Sequence, residues 1–92
     1  MSDFKLPKTV KEAVTDILNN ADSDLLIHLG KIKDEEDLFY HMIDPLGSVI
    51  MDKYEIWDDN PELLKSTGKL HPHDGIVVII EAVWKKHRRT RQ

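Results

Sequence analysis

Residues Ile76 to Trp84, "IVVIIEAVW", set eight apolar side chains around a single glutamate in a chain of 92 residues. Whatever this stretch forms has to be covered by much of what remains. Its β-branched residues would suit a buried strand, but no earlier segment offers a convincing second strand to pair with it. As a helix from about Pro72 to about His87 it carries Ile76, Ile79, Ile80 and Val83 on one face, with Val77, Val78 and Trp84 on the flanks. A helix apolar over most of its circumference belongs in the middle of a bundle. A homodimer is the alternative way to cover it.

The upstream segments can supply that cover as helices. In "TVKEAVTDILNNA", Val10, Ala13, Val14, Ile17, Leu18 and Ala21 recur at three- and four-residue steps. Pro7 blocks an earlier start, and Thr9 with Glu12 predicts a capping box in which the glutamate reaches back to the Thr9 amide. "NNADS" reads as a helix end and a new cap, followed by "DLLIHLGKI", read as a short helix interrupted by Gly30. Asp34, Glu35, Glu36 and Asp37 mark the positive first turn of a third helix. Asp44 before Pro45 predicts a further start, with Leu46, Val49, Ile50 and Tyr54 as the inner stripe and a close helix contact at Gly47. Asn60 before Pro61 repeats that grammar, and Gly68 is placed to end the short helix in the left-handed conformation. The expectation is an all-α fold, one compact bundle of four to five short helices with the C-terminal helix central. It occupies residues 1–92 as a single domain, with 1–6 an N-terminal tail and 88–92 a basic tail.

Charge narrows the partners. Five of the thirteen basic residues (Lys85, Lys86, Arg88, Arg89, Arg91) fall in the last eight positions, leaving eight basic against seventeen acidic groups before them. A phosphate backbone repels such an acidic body, so only the tail argues for nucleic acid, and its cations equally suit the negative end of a final helix. The chain contains no cysteine, which excludes disulfides and thiolate chemistry. The opening "MSDFKLPKT" lacks the apolar core of a signal peptide, and the longest apolar run, Ile76 to Ile80, is far short of a membrane span. The expected location is the cytoplasm.

"HPHD" is the stretch most suggestive of chemistry. His71, His73 and Asp74 could supply three ligands to a metal such as zinc, but alternate residues of a regular backbone point to opposite sides. The simpler reading makes Pro72 the first helical residue, with His71 bonded to neighbouring backbone or to an aromatic ring and Asp74 at the positive helix end. His28 and His41 read as partly buried, hydrogen-bonded histidines, and Trp57 and Trp84 as core. Phosphate loops, "GxSxG", "HExxH" and calcium loops are all missing, so no catalytic residue and no cofactor are expected.

Three stretches together, "LPKTVKEAV", "WDDNPELLKSTG" and "HPHD" followed by "IIEAVW", resemble a family of small, largely bacterial helical domains of unknown function. The resemblance runs from about Leu6 to Trp84 and rests most on Trp57, Asn60, Leu64, Gly68, His71, Pro72, Asp74, Ile79, Ile80 and Trp84. It implies a helical fold and no activity. The family usually has an acid at position 73 and a glycine-rich pair at 58 and 59, so the resemblance weakens any metal site that depends on His73.

The functional expectation is a noncatalytic protein-protein interaction module, an adaptor, inhibitor or immunity-type factor, using Glu35, Glu36, Asp58 and Asp59 as its acidic contact residues. Its alternatives are a small metal-dependent or acid/base enzyme built on His71, His73 and Asp74, and nucleic-acid binding through the basic tail.

Overall fold

A computed structural model describes residues 6–56 and 60–90. Five α-helices follow one another: α1 (Val10–Asn20), α2 (Ser23–Lys31), α3 (Glu35–Ser48), α4 (Pro61–Ser66) and α5 (Pro72–Thr90). Between α3 and α4 a π-helical turn occupies Val49–Lys53. The fold is all-α, and α5 packs on α1, α2 and α3.

Burial in α5 follows the apolar pattern. Ile79, Ile80 and Val83 are fully buried, Ile76 and Trp84 nearly so, and Val77 and Val78 are half-buried on the flanks. Each fully buried aliphatic side chain of this size contributes about 1.5–3 kcal/mol, so this stripe anchors the core. Ala13, Val14 and Ile17 of α1, Leu29 of α2, and Leu38, Met42 and Leu46 of α3 meet it. The helix continues through Arg88 and Arg89 to Thr90, so these cations extend α5 rather than forming a separate tail.

The helix starts are set locally. The amide of Glu12 donates to Thr9 Oγ1 at 3.1 Å, but the Glu12 carboxylate accepts from the amide of Lys8 at 2.8 Å, one residue before the amide expected for it. The first amide of α1, at Val10, donates instead to Ser66 Oγ of α4 at 3.0 Å. The start of α3 repeats the arrangement. Asp34 accepts from the Asp37 amide at 2.9 Å, and Asp37 accepts from the Lys33 amide at 3.2 Å. Asp22 caps α2 by accepting from Leu25. Gly68 adopts the expected left-handed conformation, with φ of 77°.

The start expected at Asp44–Pro45 does not occur, because α3 runs through Pro45. A proline inside a helix removes one amide donor, and here the bond lost is the one to the carbonyl of His41, a residue on the exposed side. Solvent can satisfy that carbonyl, while Leu38, Met42 and Leu46 remain buried in one stripe that holds the helix continuous. The stripe extends to Ile50 and Tyr54, both fully buried, while Val49 is only half-buried. A four-residue step drifts around a 3.6-residue helix, and the extra residue in the π-turn offsets that drift. The Tyr54 amide closes the turn on the Val49 carbonyl at 3.0 Å, and Glu55 follows with φ of 53°.

The close helix contact also lies elsewhere than expected. A Cβ at Gly47 would sit 4.0 Å from Ile76 Cγ2, an ordinary contact. At Gly75, in the first turn of α5, it would lie 2.9 Å from Leu64 Cδ1 and 3.3 Å from both Ile56 Cδ1 and Thr67 Oγ1. Gly75 is therefore the position that lets α5 approach α4. Gly47→Ala should raise unfolding stability by about 1 kcal/mol through helix propensity, whereas Gly75→Val should lower it by about 1–3 kcal/mol through overpacking. Urea denaturation of the two variants beside the parent chain measures both signs.

Candidate functional site

The start of α5 is a helix cap. His71 Nδ1 accepts from the amide of His73 at 3.2 Å, Pro72 is the first helical residue, and the Gly75 amide bonds to the His71 carbonyl at 3.1 Å. Asp74 lies in the first turn, where the helix dipole favours a carboxylate. The two imidazoles do not diverge as alternate residues of a regular backbone would. His71 lies outside the helix, and its ring centroid is 5.4 Å from that of His73. All three candidate ligands are exposed. Among the described residues, no group of three or more His, Asp or Glu side chains is gathered closely enough to hold a metal ion.

Asn60 does something the sequence grammar did not show. It occupies the position before Pro61, yet its side chain makes no cap bond. It is fully buried, and its amide donates to the Pro7 carbonyl at 2.8 Å and to the Tyr54 carbonyl at 2.9 Å. One side chain thus joins the segment leading into α1, the end of the π-turn and the start of α4. Ser and Asp are also favoured before a helix, but neither carries the two amide donors that this position uses.

A second tie joins α1 to the π-turn. The Tyr54 hydroxyl donates to Asp16 Oδ2, Lys53 Nζ stands 3.6 Å from the same oxygen, and Asn20 Nδ2 donates to the other oxygen at 3.0 Å. Burial first, and then the Asp16 carboxylate that accepts its hydrogen bond, holds the Tyr54 phenol well above its ordinary value. π-turns are frequent at functional sites, and here the cluster joins two elements.

The acidic candidates divide into two groups. Glu35 and Glu36 are exposed on the first turn of α3. They border a depression shared with Lys33, Asp34, Trp84, Lys85 and Arg88, so cations of α5 stand beside them. Lys85 donates to Glu81 at 2.9 Å, which raises its pKa, and Glu35 adds a smaller contribution of the same sign. Trp84 is core, with the Arg88 guanidinium 4.9 Å from its ring centre. Asp58 and Asp59, with Trp57, lie outside the described residues.

Exposed apolar side chains on α2, α3 and the π-turn had no place in the sequence reading. Tyr40 is 81% exposed and Ile27 57%, and Ile43 and Met51 are also open to solvent. His28 and His41 are exposed rather than partly buried. His41 pairs with Asp37 at 3.2 Å, and its ring lies 5.1 Å from Tyr40 and 5.8 Å from His28. The signal was present in α3: once Leu38, Met42 and Leu46 define the inner stripe, Tyr40 and Ile43 fall off it.

Both internal ties can be tested. Asn60→Ala leaves two carbonyls without their donor and should cost about 1–3 kcal/mol of stability, read by thermal or urea unfolding. Tyr54 has a raised pKa in the folded chain, so its stabilising contribution is complete below the unfolded value of about 10. Above that pH the unfolded tyrosine loses its proton while the folded one keeps it, and stability falls by about 1.4 kcal/mol per pH unit. Comparing the parent with Tyr54→Phe between pH 8 and 11 should show this slope in the parent and its loss in the variant.

Among the described residues no helix is long and apolar enough to cross a membrane. No curated protein and no solved structure is significantly similar to the chain. The model of a family described as a domain of unknown function (DUF6794) matches residues 6–87. That match takes in the capped start of α1, the Asn60 tie and most of α5, and the chain belongs to this family.

Proposed function

We propose that the domain is a noncatalytic protein-protein interaction module, of the adaptor, inhibitor or immunity type, whose acidic α2–α3 side receives a cationic partner. The observation that carries this reading is the coincidence of charge and exposed apolar surface on one stretch of chain. Residues 22–52 hold eight carboxylates against two lysines. The same stretch presents Ile27, Tyr40, Ile43 and Met51 to solvent. Tyr40 and Ile43 stand one turn apart on α3, and the Tyr40–His41–His28 ring chain leads across to α2 beside Ile27. Exposed apolar side chains set among like charges suit a partner that supplies both an apolar anchor and basic residues.

Carboxylates at a rim act mostly on association rate and on exclusion of wrong partners, whereas an exposed aromatic supplies contact energy. The two contributions are therefore separable. With a partner captured from nuclease-treated lysate, Glu35→Lys with Glu36→Lys should slow association and flatten its salt dependence, while Tyr40→Ala should speed dissociation. Surface plasmon resonance at two salt concentrations reads both. Unchanged kinetics in both variants would remove this surface from the interface.

A further inference from the structure

We infer that His28 of α2 and His41 of α3 form a binding site for a divalent transition-metal ion that bridges the two helices. Their ring centroids are 5.8 Å apart, with planes tilted by 33°. An ion bound at ~2.0–2.1 Å by one nitrogen of each imidazole sets the two ring centres roughly 5–6 Å apart. The rings already stand at that separation, so the two helices hold their imidazoles within reach of one ion. Both rings line one open depression, together with Asp22 and Asp24.

The surroundings favour ligation. Asp37 Oδ1 lies 3.2 Å from Nε2 of His41. A carboxylate on one nitrogen orients an imidazole and leaves the other nitrogen, here Nδ1, to face an ion. Asp37 is itself held, since its second oxygen accepts from the Lys33 amide. Asp24 lies one turn before His28, on the same face of α2, where a change of rotamer can bring its carboxylate to the ion as a third ligand. In the arrangement described here no third side chain is yet in place, so water or Asp24 completes the shell. Imidazole suits zinc, copper and nickel, and the net negative stretch around the site draws cations to it.

The pair at the start of α5 is the rival, with ring centroids 5.4 Å apart. There the cap bond already uses His71 Nδ1, and an ion would have to compete for the ring with the helix start. At His28 and His41 an ion adds a tie between α2 and α3, and α2 otherwise packs chiefly on α5. Binding to the folded chain alone raises its stability.

The experiment is calorimetric titration of the chelator-treated protein with zinc chloride, alongside thermal unfolding with and without the ion. The expected result is one equivalent bound per chain and a higher Tm. His28→Ala and His41→Ala, both at exposed positions, should keep the helical circular dichroism of the parent and each weaken binding at least about tenfold, as should Asp37→Asn. A His71→Ala, His73→Ala double variant should bind zinc as the parent does. The proposal is overturned if the parent binds no zinc, if His28→Ala binds as tightly as the parent, or if binding is lost with His71 and His73 instead.

Discussion

The apolar circumference of α5 is the constraint on which the rest of the structure depends. Ile76, Ile79, Ile80 and Val83 cannot be covered by one neighbour, and α1, α2 and α3 each give an inner stripe to the task. The short helices are weak formers in isolation, since a helix of nine to fourteen residues is marginal in water. Packing on α5 makes them persist. Gly75 admits α4 to the same assembly by letting the Leu64, Ile56 and Thr67 side chains close on its backbone.

Burial also overrides local grammar where the two conflict. Asp44 and Pro45 have the form of a helix start, yet the stripe of Leu38, Met42 and Leu46 carries α3 across them, and the π-turn keeps Ile50 and Tyr54 in line with it. Losing one amide donor on the solvent side costs less than exposing that stripe. The polar side chains then finish what the apolar ones begin. Asn60 fastens the lead-in to α1 to the π-turn and α4, and Tyr54 fastens the π-turn to Asp16 of α1. These bonds give the π-turn and α4 defined positions although α4 is only six residues long.

The surface divides by sign and by polarity. Carboxylates concentrate on α2, α3 and the π-turn, where exposed Ile27, Tyr40, Ile43 and Met51 interrupt them, while the cations gather at the end of α5. Part of that opposition is satisfied within the chain, where Glu35 and Glu36 border Lys85 and Arg88. His28 and His41 sit on the acidic side, facing each other from α2 and α3.

The sequence by itself determined the all-α class, the central helix and most helix starts, because apolar periodicity and caps are properties of residues within a few positions of one another. Thr9, Asp22, Asp34 and Gly68 could be read in that way, as could the capping role of His71 beside Pro72. Only the tertiary structure decided which glycine lies against a neighbour, that Pro45 is passed over, and that Asn60 is a buried tie and not a cap. It also decided that Tyr54 meets Asp16 and that His28 meets His41. Each of these depends on groups distant along the chain, and the helix packing that unites them has no local signature.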